Sequence, residues 1–146
     1  MTKPYFPARE GDPPPLCAEV RRRVRFEEVD SIGIVWHGRY AGYFEDARDA
    51  LGEQYGIGYL DFYENGILVP IKQLHADFHR PLRLKDEVTV EATLHYSEAA
   101  RINHAFVIRD RQGAVTTTGY TVQMMLDRDR NLCMIPPPFY ESFLER

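Results

Sequence analysis

One segment limits what this chain can fold into more than any other: a single long amphipathic helix set among strands. From Gly38 to Tyr55, the residues Tyr40, Tyr43, Phe44, Ala47, Leu51 and Tyr55 recur at steps of three and four. Arg39, Glu45, Asp46, Arg48, Asp49 and Glu53 fall mostly off that stripe. The spacing predicts one helix of about four to five turns, closed by Gly56 and Gly58. Its aromatic stripe must lie on an apolar surface. A short second helix over Tyr59–Glu64 precedes the Asn65-Gly66 turn.

The rest of the chain supplies that surface as strands. Val20, Val24 and Phe26 alternate with charged residues and predict a first strand ending near Val29. Ile67–Phe78 is β-rich, with Pro81 closing it or marking an edge. Val88, Val90, Ala92, Leu94 and Tyr96 alternate, as do Ile102, His104, Phe106 and Ile108 within Arg101–Arg109. Thr116–Leu126 follows, with Tyr120, Val122, Met124 and Leu126 on one face. Polar turns at Lys85-Asp86, Asp110–Gly113 and Asp127–Asn131 separate the strands, in hairpin-like antiparallel succession. Pro136-Pro137-Pro138 leads into a short terminal helix. The expected class is α+β, a curved antiparallel sheet wrapped around a long central helix.

At 146 residues the chain is one domain with a real core. Pro4, Pro7 and Pro13–Pro15 mark residues 1–19 as a Pro-rich tail before a domain over 20–146. A net charge of -4 argues against general nucleic-acid binding. No apolar run approaches the roughly 20 residues that span a bilayer, and no signal-peptide pattern opens the chain. A cytoplasmic protein is expected, with Cys17 and Cys133 as unpaired thiols.

The chemistry concentrates in Asp30-Ser-Ile-Gly-Ile-Val-Trp-His-Gly-Arg-Tyr40, just ahead of the long helix. A carboxylate here faces a helix start, where unpaired N–H groups and the positive dipole end polarise a carbonyl oxygen. Taken alone, such an Asp is more often an N-cap or turn residue than a catalyst. The segment resembles the signature of the 4-hydroxybenzoyl-CoA thioesterase family of hotdog-fold acyl-CoA thioesterases. In this chain that signature reads Arg23, Val24, four spacers, Val29, Asp30, two spacers, Gly33, Ile34, Val35, Trp36, His37, two spacers and Tyr40. Only Val29 departs, where the family carries Thr or Cys. Phe44-Glu45-x-Ala47-Arg48 and the Arg80-Pro81…Asp86 connection resemble the family as well.

The resemblance implies a hotdog fold and hydrolysis of an acyl-CoA thioester without metal or cofactor. It implies that Asp30 is nucleophile or general base and that the His37 backbone N–H holds the thioester oxygen, and it leaves the His37 imidazole to position water, to donate a hydrogen bond or simply to pack at the helix start. It gives Gly33 a tight turn or a close ligand approach, and leaves Tyr40 to line an acyl pocket or simply to pack. Trp36, Phe44 and Phe78 are further candidates for an aromatic-friendly pocket and are equally expected as core. Arg80, Arg83, Lys85 and Arg101 are candidates for the coenzyme A phosphates, or plain surface. A homodimer or homotetramer is implied, with the site at a subunit interface. Two rival functions stay open: a non-catalytic acyl-CoA or lipid-binding module, and a pathway thioesterase acting on an acyl-carrier protein.

Other clusters have plainer readings. His75, Asp77 and His79 share one strand face and invite a metal reading, which the thioesterase chemistry does not need. Glu45 and Arg48 suggest an intrahelical pair, and Arg21-Arg22-Arg23 a solvated strand edge.

Overall fold

A computed structural model describes residues 4–145. Five strands form one antiparallel sheet: β1 (Leu16–Arg23), β2 (Ile71–Phe78), β3 (Glu87–His95), β4 (Arg101–Arg109) and β5 (Val115–Met124). The helices are α1 (Tyr40–Tyr55), α2 (Tyr59–Glu64) and α3 (Pro138–Leu144), with 3-10 turns at Phe26–Glu28 and His37–Arg39. The curved sheet and its long helix make this the hotdog fold.

The strand order is β1-β3-β4-β5-β2, so the succession is not one of hairpins throughout. β3, β4 and β5 form a meander, but β2 lies on the far edge beside β5 and the chain crosses from there to β3. β1 begins at Leu16 and ends at Arg23, earlier at both ends than the alternation suggested. The alternation did continue past Arg23, but the chain there leaves the sheet for the Phe26–Glu28 turn.

The core forms where the α1 stripe meets the inner face of the sheet. Tyr43, Phe44, Ala47 and Leu51 are buried against a surface that includes Val90, Ala92, Phe106 and Ile108. Phe44 stacks on Phe106 with ring centroids 4.5 Å apart. Burying one such ring is worth about 2–3 kcal/mol. Gly119 on β5 makes room for it, since a Cβ there would meet the Phe44 ring at 2.6 Å and the His75 carbonyl at 2.4 Å. Register places Thr117, Gly119 and Thr121 of β5 opposite the buried Ile108, Phe106 and His104 of β4. Tyr120 therefore faces away from the helix, and Tyr5 and Phe6 of the N-terminal segment pack on its ring.

Arg22 is not a solvated edge residue. It bonds the carboxylates of Glu28 and Asp46 and lies 3.9 Å from the Tyr43 ring centroid. Its position on β1 points inward, opposite the buried Val88, while Arg21 and Arg23 are exposed. No Glu45–Arg48 ion pair forms among the described residues.

Candidate active site

The loop that carries Asp30 is held from below by Glu28. This carboxylate is 3% exposed and accepts hydrogen bonds from the Arg25 N–H (2.9 Å), the Tyr43 hydroxyl (3.0 Å) and Arg22. Burial pushes its pKa up, but those donors prevail and hold it below the ordinary carboxylate value. Burial, followed by its hydrogen bond to Glu28 and that carboxylate's charge, drives the Tyr43 hydroxyl far above its usual range. The Glu28 carbonyl also accepts the Trp36 N–H at 2.9 Å, so one residue anchors both ends of the loop.

Above that anchor the chain makes a small closed turn. Val29 bridges Val35, the Asp30 N–H donates to the Ile34 carbonyl at 2.8 Å, and the Gly33 N–H donates to the Asp30 carbonyl at 3.0 Å. Gly33 has φ +81° and no atom within 4 Å of a built Cβ, so it serves the turn's backbone, not a close packing contact. Val29, the departure from the signature, packs against the core at the base of this turn.

Asp30 itself is half-buried. Its Oδ1 accepts the Ile32 N–H at 3.0 Å, and no described residue bonds Oδ2. The chain then turns through His37–Arg39 directly into α1, so that the two form one helical run. The N–H groups of His37 and Gly38 have no acceptor among the described residues, as expected at a helix start. The Trp36 ring lies over Gly38, where a Cβ would fall 2.2 Å from it, so a side chain there would displace the half-exposed ring.

Asp30, His37 and Tyr40 meet on the wall of an open cleft of about 550 Å³, which Phe78, His79 and Arg80 also line. Tyr40 packs edge-on to Phe78 at 4.7 Å. Phe78, a pocket candidate from the sequence, lines the cleft together with His79, Pro81, Ile32, Ile34 and Val35, and of these His79 and Pro81 have no local signal for this role. They arrive because β2 ends beside the helix start, which is a fact of sheet topology.

Other candidates are placed elsewhere. Trp36 is 48% exposed, lies against His37, and is not part of the cleft lining. Phe44 is 1% exposed and committed to the core. Of the four cations, only Arg80 lines the cleft. Arg83 and Lys85 occupy the exposed turn before β3. Arg101 pairs with Met124, whereas Arg80 bonds the Thr116 carbonyl, so about 26 Å of β5 separates them. Topology splits in space what shared charge grouped in sequence.

His75, Asp77 and His79 are engaged with protein partners. His75 Nε2 meets Asp77 Oδ2 at 2.9 Å, the Tyr5 hydroxyl donates to the same oxygen at 2.7 Å, and His79 Nε2 meets Thr118 Oγ1 at 2.9 Å. Both cysteines are free thiols. No helix among the described residues is long and apolar enough to cross a membrane.

A family model described as the thioesterase-like superfamily matches residues 24–145. A chloroplastic acyl-acyl carrier protein thioesterase of Arabidopsis thaliana is 34% identical over 143 residues, covering 96% of this chain and 74% of its own. Relatives from Bacillus subtilis and Aquifex aeolicus are 32% and 34% identical across 68% and 59% of this chain. The chain spans 62% and 66% of their lengths, less than two thirds of each. The solved DHNA-CoA thioesterase from Staphylococcus aureus superposes with a TM-score of 0.79 at 24% identity, covering 88% of this chain and 89% of its own. With the family's fold around the cleft and its model matched from Val24 onward, this chain belongs to the thioesterase-like superfamily.

Proposed function

We propose that this protein is an acyl-CoA thioesterase, adding water to R–CO–S–CoA to give a carboxylic acid and free coenzyme A. One observation carries the reading: Asp30, with an oxygen that no described residue bonds, shares a cleft with a helix start whose first N–H groups find no acceptor among the described residues. The carboxylate either attacks the thioester carbon or takes a proton from the water that does. The His37 N–H stabilises charge as it develops on the carbonyl oxygen, where one such donor is worth roughly 100-fold or more in rate. Arg80 is the cation placed to meet a phosphate of the thiol.

The active form is a homodimer or a higher homo-oligomer. β2 is an edge strand whose Ile71, Leu74 and Phe78 are exposed, and Phe78 lines the cleft, so a second copy on that edge completes its wall. The Arabidopsis relative's name favours one second reading, with the acyl group carried on a carrier protein. The same site serves either thiol.

Thiol release over a panel of acyl-CoA thioesters, each paired with its carrier-protein thioester, tests the proposal. Hydrolysis abolished by Asp30→Asn supports it, while binding without thiol release leaves a non-catalytic module. Label found in the Asp30 side chain after single turnover in ¹⁸O water identifies the carboxylate as the nucleophile, since a general base acquires none.

A further inference from the structure

A second cavity, of about 300 Å³, lies between α1, α2 and the inner face of β4 and β5. Its walls are largely apolar, with Phe62, Val69 and Ile102 among them, yet beneath a rim that carries Glu45 and Asp49 it is also lined by Arg48, His104 and Gln123. Gln123 has work to do within the fold, donating from Nε2 to the Val69 carbonyl at 2.8 Å. The other two have none. His104 is 3% exposed, its Nδ1 is buried without a partner, and no hydrogen bond from the described residues reaches the ring. Thr121, directly across the β4–β5 register, also buries an unpartnered Oγ1. Arg48 is half-buried with neither a hydrogen bond nor an ion pair among the described residues.

Leaving a buried polar atom unsatisfied costs about 1–3 kcal/mol, so two side by side beneath an unpaired guanidinium mark a place where something binds. The charges say what kind of group. Burial pushes His104 down to about 3, so it offers a neutral imidazole near pH 7. Arg48 is flanked on α1 by Glu45 and Asp49, both on the cavity rim, so the local balance does not call for another anion. A neutral oxygen, as in a hydroxyl or ketone, satisfies the imidazole and the guanidinium together. The apolar walls suit the carbon skeleton that bears it.

Position ties this cavity to the substrate. Arg48 lies eight residues beyond Tyr40 on the same helix, about 12 Å along its axis from the cleft. Ile71 borders the cavity and Phe78 the cleft, at opposite ends of β2. Antiparallel pairing of β2 with a second copy brings the cavity of one protomer toward the cleft of the other.

Resting on the thioesterase reading, we infer that this cavity receives the far end of the acyl group and selects acyl chains bearing a neutral oxygen remote from the thioester. The test compares kcat/KM for matched thioesters, with and without a hydroxyl at the distal carbon, in wild type, His104→Leu and Arg48→Met. Wild type is expected to favour the hydroxylated thioester by about tenfold or more, and both variants to lose that preference while keeping turnover of the plain chain. A merely structural role lowers both substrates together and overturns the inference. So does a preference that survives both substitutions, the outcome if a trapped water alone satisfies His104. Calorimetric binding of the same pair to Asp30→Asn separates this inference from the activity. Selective binding that His104→Leu removes, without turnover in wild type, sinks the thioesterase reading and keeps the cavity. Equal binding of the pair sinks the cavity.

Discussion

Glu28 and Asp30 stand two residues apart, and the fold treats them in opposite ways. Glu28 is buried and takes hydrogen bonds from Arg22, Arg25 and Tyr43. Asp30 is half-buried, spends one oxygen on its own turn, and faces the open cleft with the other. A carboxylate surrounded by donors is stabilised as an anion and is a poor nucleophile or base. One with a free oxygen beside an electrophile-binding helix end keeps its reactivity. The pair shows how a site is divided between a residue that holds the loop and a residue that acts from it.

The largest effect that would break the comparison is in rate. Asp30→Asn should cut thioester hydrolysis by at least about 100-fold while the melting temperature stays within a few degrees of wild type. Retained turnover would remove Asp30 from the chemistry. Glu28→Ala should act the other way, costing about 2–4 kcal/mol in denaturant unfolding because the buried Tyr43 hydroxyl and the Arg25 N–H lose their acceptor, while Arg22 keeps Asp46. A Glu28→Ala protein as stable as wild type would mean that the buried network does not hold the loop. Tyr43→Phe, which deletes one donor to Glu28, should cost only about 1–2 kcal/mol and lower kcat less than Asp30→Asn does.

Acid unfolding sharpens the contrast further. Glu28 has a folded pKa below its ordinary 4.5, so its contribution is complete above that value and fades as pH falls through the lower folded one. Glu28→Gln should flatten that limb, whereas Asp30→Asn should leave it intact. His104 adds a separate window. With a folded pKa near 3 against an ordinary 6.5, it favours the folded state above pH 6.5, and that advantage is lost as pH falls toward 3. His104→Leu should therefore remove the earlier limb in a pH series of unfolding curves and leave the Glu28 limb in place.

The α1 stripe was legible because burial at steps of three and four is a local property of the chain, and β3 and β4 were legible from period-two alternation. The Asp30 turn was legible too, since Asp, Gly and a helix start follow one another in sequence. Tyr120 shows where this ended. Its alternation was read correctly, but period two does not say which face meets the helix, and register put Gly119 there and Tyr120 outside. Arg22 was misread for the same reason, because charge suggests solvent while its strand position pointed inward to Glu28. Arg101 and Arg80 looked like partners only because charge carries no address.

By itself, then, the sequence determined the elements and the reactive loop: one amphipathic helix, alternating strands, and an aspartate held in a glycine turn ahead of a helix start. These follow from local sterics and from the periodicity of apolar side chains. Tertiary structure alone decided that β2 ends beside that loop, supplying Phe78, His79 and Arg80, and that Glu28 is buried while Asp30 is not. It also decided that His104 shares a cavity with Arg48 and finds no hydrogen-bond partner among the described residues. Such pairings join residues tens of positions apart, and strand order and register, which no local pattern encodes, bring them together.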